Sequence, residues 1–246
     1  MEKIAIGHIE TLCEKYDVKY LLFCDSRIDQ PIFNDLTLLN FIDISVSSVV
    51  IDLTRTNKVL LSEMRSNHRR DFKKYDNIFT CQFATKETQP DAFDEFQDFY
   101  HGKTPQRSLA PLFYKGLRDL FDRSNATIVK IIHQENLDVG YLFFIHSGSY
   151  VYYLLGGSCN KQSGPILKVG LIKAVFYFSE MGFELFEVGR LEFSPSLVSD
   201  TDEKRRSISQ FKLGFGGRIV RLSKSLKIFN QSFNDSLGYM RLTLND

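Results

Sequence analysis

The chain has 246 residues, of which 43% are apolar and 25% are charged, a composition typical of a folded globular protein with one large domain. Its net charge of +1 excludes a strong overall attraction to nucleic acid or membranes. The cysteines are scattered with no C-x-x-C spacing, which predicts reduced, mostly buried thiols in a cytoplasmic protein. The acidic N-terminus does not have the pattern of a signal peptide. The uncharged stretch 139–160 predicts a hairpin of buried strands, with no stable membrane insertion.

The predicted elements mix helices and strands along the whole chain. Helices are predicted over 1–17, 30–41, from Thr54 or Thr56 to Lys74, 91–100, 109–122, 166–182 and just before Phe211. Strands are predicted over 18–24, 44–53, 78–84, 183–189 and from Arg218 onward. A three-stranded antiparallel meander with turn residues at its corners is predicted for the segments ATIVKIIHQ, VGYLFFIH and YVYYLLGGS. A helix separates 150–155 from 183–189, so these strands are expected to pair in parallel. The fold class is α/β (α+β) with a mixed sheet.

The loop GGSCNKQSGP at 156–165 joins a predicted strand to a predicted helix. The N-terminus of such a helix offers unpaired N–H groups and a positive dipole end, which suit a phosphate or carboxylate. Lys161 and Lys168 would add positive charge. The loop has neither the P-loop nor the dinucleotide-binding glycine pattern, so an ordinary strand-to-helix connection is the alternative.

The segment SEMRSNHRRDFKK at 62–74 combines an apolar stripe with a basic row. The stripe consists of Leu60, Met64, His68 and Phe72. The basic row consists of Arg65, Arg69 and Lys73, with Arg70 and Lys74 beside it. Such a row can hold phosphates of a nucleotide sugar, a coenzyme or RNA, and a solvated helix face is the alternative. His68 is expected to be a half-buried histidine with satisfied hydrogen bonds rather than a ligand.

The predicted strand ELFEVGR at 184–190 places a carboxylate among apolar residues. Its alternation puts Leu185, Glu187 and Gly189 on one face, with Arg190 at the end of the strand. A partly buried carboxylate has a raised pKa and suits a general base, whereas pairing with a cation is the alternative. The sequence has no Ser/His/Asp pattern and no H-E-x-x-H, so it does not support nucleophilic hydrolysis or zinc chemistry.

The segment FKLGFGG at 211–217 holds Lys212 between Phe211 and Leu213 and adds three glycines. These glycines allow the backbone to approach a ligand or another segment closely. A β-bulge or tight turn beside the core is the alternative.

The order of these motifs resembles the Fem-type peptidoglycan aminoacyl transferases, which belong to the GNAT acyltransferase superfamily. The motifs are VVIDLT, the helix bearing RSNHRRDFKK, FYHGKTPQR, the meander ending in YYLLGGS, FSEMGFELFEVG and FKLGFGG. The resemblance covers roughly residues 45–225. It implies that 1–44 resembles the tail of a preceding half and that 45–246 forms a GNAT-like domain. The implied sheet is mostly antiparallel, is flanked by helices and splays open at its middle, where the acyl donor lies.

The resemblance implies an N-acyltransferase without a metal. Full Fem enzymes have two GNAT-like halves and often a helical hairpin that contacts RNA, and this chain resembles one half and a fragment. We therefore expect acetyl-CoA or another acyl-CoA as donor. The expected acceptor is an amine on an amino sugar or nucleotide sugar of bacterial cell-envelope polysaccharide. The alternatives are transfer from aminoacyl-tRNA to a cell-wall precursor and a non-catalytic binding module. The sequence leaves tRNA and a homodimer open as partners.

The resemblance also implies roles for single residues. Glu187 would take the proton of the attacking amine, Lys212 would stabilise negative charge, and Tyr153 would donate a proton to the leaving group. The expected donor-binding residues are Gly157, Ser158, Asn160, Gln162, Ser163, Gly164 and Lys168. The expected substrate-binding residues are Arg69, Arg70, Tyr152, Arg190 and Phe211.

Overall fold

The computed structural model describes residues 2–25, 35–103, 111–135, 139–159, 165–193 and 202–229. The described helices are α1 (Glu2–Lys15), α2 (Asn57–Glu63), α3 (Ser66–Tyr75), α4 (Ala92–Lys103), α5 (Pro111–Asp122), α6 (Ile166–Glu180) and α7 (Glu203–Leu213). The described strands are β1 (Tyr20–Asp25), β2 (Ile42–Asp43), β3 (Val46–Asp52), β4 (Phe79–Ala84), β5 (Ala126–His133), β6 (Val139–Ser147), β7 (Tyr150–Ser158), β8 (Leu185–Leu191) and β9 (Arg218–Ile228). None of these described helices is both long and apolar enough to cross a membrane.

The chain packs as two compact units. One unit, which we call the meander unit, contains residues 49–189 and 210–218. The other, which we call the terminal unit, contains residues 1–48, 190–209 and 219–246. The division of the chain at residue 44 that the resemblance implies stays a prediction.

The meander unit is built on a mixed sheet in the strand order β3-β8-β7-β6-β5-β4. The strands β4, β5, β6 and β7 pair antiparallel in chain order. The strands β7 and β8 pair in parallel, with Val151 opposite Phe186. The structure therefore confirms the predicted meander, the predicted parallel pair and the predicted mixed sheet.

Helices cover both faces of this sheet. Phe143 of β6 packs against Phe96 of α4, with 5.3 Å between ring centroids. The next residue, Phe144, points to the other face and packs against Phe178 of α6 at 5.2 Å. Both phenylalanines of β6 are completely buried, and burial of each stabilises the fold by about 1.5–3 kcal/mol. The sheet of the meander unit is thus a middle layer between two helical layers.

The terminal unit contains a small antiparallel ladder. β1 pairs with β9 from Tyr20 opposite Ile228 to Asp25 opposite Ser223, and β2 pairs with the same strand. Two of the predictions in this part of the chain need correction. The described part of the predicted helix 30–41 is a 3-10 helix, Asp35–Leu39. Of the cysteines expected to be mostly buried, Cys24 is exposed, as is Cys159 in the meander unit.

The single helix predicted between Thr54 or Thr56 and Lys74 is wrong, because the chain forms α2 and α3 with a break between them. Met64 ends α2 in an extended conformation and is buried. The next backbone N–H, that of Arg65, donates to the carbonyl oxygen of Gly214 at 2.9 Å. A partner distant in sequence replaces a hydrogen bond within the helix, so periodicity alone could not locate the break. The apolar stripe was expected to be buried, and this is confirmed for Leu60, Met64 and His68, whereas Phe72 is only partly buried.

Candidate functional site

The strands β7 and β8 hydrogen-bond over only part of their length. Their register runs from Tyr150 opposite Leu185 to Tyr152 opposite Glu187, whereas both strands continue beyond these pairs. A bulge begins at the same place, because Phe144 of β6 lies opposite Tyr153 but Phe143 lies opposite Leu155. The extra residue on β7 bends that strand locally. We call the region beyond Tyr152, where β7 and β8 are no longer paired, the β7–β8 gap.

Lys212 lies on the last turn of α7, beside this gap. A methyl group built on Gly189 of β8 would lie 3.1 Å from Lys212 Nζ and 3.7 Å from the carbonyl oxygen of Tyr153 on β7. The ammonium group is therefore close to both strands at the point where their pairing has ended. A positive charge held there is suited to stabilise negative charge that develops on a ligand carbonyl oxygen.

Glycine at residue 189 of β8 leaves room for the Lys212 side chain beside this strand. Its φ of +106° lies in a region that residues with side chains rarely adopt. Any side chain at this position would also meet the Lys212 ammonium group. The backbone conformation and the space around the lysine therefore both favour glycine at residue 189.

Glu187 is buried, with 6% of its surface exposed, as the strand pattern predicted. Its carboxylate accepts a hydrogen bond from the Tyr150 hydroxyl. Burial, and after it this carboxylate, raises the pKa of Tyr150 above its ordinary value, so Tyr150 stays protonated and donates to Glu187. Sequence reasoning singled out Glu187 but missed Tyr150, because the register of two strands brings them together.

Two tyrosine hydroxyls lie against successive glycines in the second half of β7. The Tyr153 hydroxyl would lie 2.5 Å from a methyl group built on Gly156, and the Tyr100 hydroxyl of α4 would lie 3.4 Å from one built on Gly157. Burial raises the pKa of Tyr153 above its ordinary value, so this hydroxyl keeps its proton at neutral pH. Small residues at 156 and 157 thus leave space for both phenols.

The predicted donor-binding residues fall into two groups. Four of them lie outside the described residues, namely Asn160, Gln162, Ser163 and Gly164. Within the described part, Ser158 lies opposite Gly140 at the end of the β6–β7 ladder. Lys168 near the start of α6 forms an ion pair with Asp71 of α3 at 2.6 Å, and both side chains are less than 20% exposed. Lys168 therefore holds α6 against α3.

The basic row on α3 is mostly engaged in protein contacts. Arg69 donates from Nη1 to the carbonyl oxygens of Ser62, at 3.1 Å, and Met64, so it caps the end of α2. Arg70 lies 3.5 Å from Asp71 and keeps 77% of its side chain exposed. Of these two predicted substrate-binding arginines, only Arg70 is mostly exposed to solvent.

The other predicted substrate-binding residues lie in three places. Tyr152 lies opposite Glu187 at the last β7–β8 pair. Phe211 packs its ring against His68 and Phe215, with centroid distances of 5.7 and 5.0 Å. Arg190 belongs to the terminal unit and forms an ion pair with Glu192 at 3.0 Å. The structure thus places Tyr152, Tyr153, Glu187 and Lys212 around the β7–β8 gap.

The segment FKLGFGG ends α7 and then forms a turn at Gly214 and Phe215, both buried, so the tight turn beside the core that was the alternative is present. Phe211, Lys212 and Leu213 form the last turn of α7, and the glycines follow the helix. A cavity of about 460 Å³ opens near the start of β8, lined by Asp52, Arg55, Glu63 and Glu184 among others. None of the predicted site residues lines this cavity. No group of three or more potential metal ligands occurs among the described residues.

No protein-family model matches the sequence, and no curated protein gives a significant sequence match. Solved structures do match. The crystal structure of FemX is 11% identical, with a TM-score of 0.71 over 95% of this chain and 78% of that chain. The structure of L-PGS from Bacillus licheniformis is 13% identical, with a TM-score of 0.55 over 96% of this chain and 71% of that chain.

A third match is a tandem GNAT protein from the clavulanic acid biosynthesis pathway, which is 12% identical. Its TM-score is 0.50 over 92% of this chain and 69% of that chain. At these identities the likeness concerns the fold alone. The chain therefore has a Fem-type, GNAT-like fold.

Proposed function

We propose that the protein is an acyltransferase that moves an activated acyl group onto an amine of a small acceptor. The observation that supports this most directly is the position of Lys212, whose ammonium group lies by the β7–β8 gap near Gly189 and the Tyr153 carbonyl group. A fixed cation at such a position suits a reaction in which a carbonyl oxygen gains negative charge.

In the proposed reaction the acceptor nitrogen attacks the acyl carbon of a thioester or ester. A C–N bond forms as the C–S or C–O bond breaks, and Lys212, with backbone N–H groups of β7, stabilises the negative oxygen. Glu187, with the Tyr150 hydroxyl bound to it, accepts the proton of the amine through water. The leaving sulfur or oxygen receives a proton from Tyr153, which burial keeps protonated.

The first candidate donor is an acyl-CoA, with an amino sugar or nucleotide sugar as acceptor. The phosphates would lie by the N-terminus of α6, a helix of 15 residues, because its unpaired N–H groups and dipole favour an anion. Gly157 and Ser158 lead into this region. Lys168 is already paired with Asp71, so its contribution would be the field around the phosphates rather than a new ion pair.

The second candidate donor is aminoacyl-tRNA, the donor of Fem-type enzymes. It is favoured by the likeness to FemX at a TM-score of 0.71 and by the exposed basic side chains Arg70, Lys73 and Lys74 on α3. Phosphate contacts through such side chains would make RNA binding weaken steeply as salt rises.

Binding measurements on the purified protein separate these proposals. Isothermal titration with acetyl-CoA and desulfo-CoA tests the first donor, and a filter-binding assay with aminoacyl-tRNA over a salt series tests the second. Micromolar CoA binding supports the first candidate, and tight, salt-sensitive RNA binding supports the second. A folded protein that binds neither would contradict the acyltransferase proposal and leave a non-catalytic binding module.

Once a donor is known to bind, substitutions of two separate lysines on α7 test the proposed chemistry. We expect Lys212→Met to lower the rate of acyl transfer to pooled amino sugars by about 10²–10³-fold, the loss typical of removing one group that stabilises an oxyanion. Lys204→Met is the matched control, because Lys204 is exposed near the start of the same helix. Equal rates for the two variants would refute the role of Lys212.

A further inference from the structure

The end of α7 that carries Lys212 is held by residues at the start of α3. The backbone N–H of Arg65 donates to the Gly214 carbonyl oxygen at 2.9 Å, and its Nη1 atom donates to Gln210 Oε1 at 3.0 Å. His68 Nε2 lies 3.2 Å from the Phe211 carbonyl oxygen. The Phe211 carbonyl oxygen also accepts from the Gly214 backbone N–H at 3.0 Å, so the contacts from α3 add to the hydrogen bonds that cap this end of α7.

The imidazole ring of His68 fills the space between the two segments. It lies 4.7 Å from the ring of Phe215 in an edge-to-face contact and touches the backbone of Gly214, where an added methyl group would come within 2.2 Å of the ring. His68 is 3% exposed. Even one methyl group does not fit between ring and backbone, so the two segments are in tight contact here.

The ring is neutral at physiological pH. Burial, and after it the positive charge of Lys168, lowers the pKa of His68 to about 4, and Arg65 acts in the same direction. The Phe211 hydrogen bond and Asp71 act in the opposite direction but are outweighed. His68 Nδ1 also lies 2.9 Å from Asn67 Oδ1. The Phe211 carbonyl oxygen can only accept, whereas the Asn67 amide can turn to present its NH₂ group, so we assign the single ring proton to Nε2.

We propose that His68 is a positioning residue for Lys212. Successive residues of a helix point about 100° apart, so fixing Phe211 against His68 also fixes the direction of the next side chain. The Nε2–H group and the two phenylalanine contacts prevent the last turn of α7 from rotating, and this keeps the Lys212 ammonium group beside Gly189. The functional meaning of this role rests on the proposed function of Lys212, but the role itself is measurable without any substrate.

The test uses reductive ¹³C-methylation of the lysines of the full chain, with Lys212 assigned by its loss in Lys212→Arg. In the wild type we expect the Lys212 methyl resonance to be separated from those of exposed lysines. In His68→Phe, which keeps a ring but lacks the donor, we expect the resonance to move toward the exposed lysines. In His68→Gln, whose amide can donate to the Phe211 carbonyl group, we expect it to return toward the wild-type position. Lys73, exposed on α3, is the internal control.

Three results would overturn the proposal: an unchanged Lys212 resonance in folded His68→Phe, a shift equally large for Lys73, or no recovery in His68→Gln. If His68→Phe does not fold, His68→Gln is compared with His68→Asn. Only the longer glutamine side chain reaches the position of Nε2, so the Lys212 resonance should lie nearer its wild-type position in His68→Gln than in His68→Asn. With a known donor, folded His68→Phe should lower kcat at least 10-fold with little change in KM. Lys212→Met active at the wild-type rate would refute the proposed function while the resonance shift could still stand.

Discussion

Replacement of Gly189 by alanine tests whether the backbone of β8 and the position of Lys212 depend on each other. The residue has a φ of +106°, and a residue with a side chain held in such a region costs about 1–3 kcal/mol. The added methyl group would lie 3.1 Å from Lys212 Nζ. That atom is the end of a flexible side chain, so we expect the lysine to move while the backbone strain remains.

For a chain of this size, 1 kcal/mol corresponds to about 2–4 °C in Tm. Gly189→Ala should therefore lower Tm by about 2–12 °C and lower the free energy of unfolding in urea by about 1–3 kcal/mol. The ¹³C-methyl resonance of Lys212 should shift in the same variant. The two measurements separate the backbone strain from the displacement of the lysine.

Gly116→Ala is the matched control. Gly116 lies inside α5, and a methyl group built on it meets nothing within 4 Å. In a helix, alanine is more favourable than glycine by about 0.5–1 kcal/mol, so this variant should be more stable than the wild type. The reasoning about Gly189 would be refuted if Gly189→Ala were as stable as the wild type with an unchanged Lys212 resonance.

Three further predictions concern the framework of the site. Tyr150→Phe removes the hydrogen bond to the buried Glu187 carboxylate and should lower the free energy of unfolding by about 1.5–3 kcal/mol, whereas an unchanged urea midpoint would contradict this. A double-mutant cycle of Lys168→Met and Asp71→Asn should give a coupling energy of about 1–3 kcal/mol. Burial raises the pKa of Asp71, but the hydrogen bond and positive charge of Lys168 outweigh this effect. The pKa of Asp71 is therefore lower than its ordinary value. The coupling should therefore be present above the unfolded-state pKa and be lost as pH falls through the lower folded-state pKa, and a coupling that grew on acidification would be inconsistent. Gly170→Ala places a methyl group 2.1 Å from a core isoleucine and should destabilise the protein by about 1–2 kcal/mol net of its helix propensity, as measured by urea unfolding.

The strands and helices around the site were predictable from local patterns. The meander from 126 to 158 follows from apolar runs separated by turn residues, and α6 follows from its length and from Gly182 just after its end. Strand, helix and strand in that order also predicted the parallel pairing of β7 and β8. These features depend on residues close together in the chain, so backbone preferences and hydrophobic periodicity suffice to predict them.

The contacts within the site were predictable only in part. Glu187 and Lys212 were identified as functional candidates, but Gly189 was not identified as the residue that leaves room for the lysine. His68 was correctly expected to be a satisfied histidine, yet its partner Phe211 is 143 residues away in the chain. That Lys168 contributes to phosphate binding stays a prediction, and its ion pair with Asp71 could not be predicted from the sequence.

By itself, the sequence determined the order of helices and strands, the mixed sheet and the Fem-like arrangement of motifs. Only the tertiary structure decided where α2 and α3 separate, which cations are paired with protein groups and how the end of α7 presents Lys212 to the β7–β8 gap. Element formation depends on the preferences of neighbouring residues, whereas these other features depend on packing between segments far apart in the chain. A helical period shows which residues share a face but not what packs against that face, and here the packing partners position the candidate site.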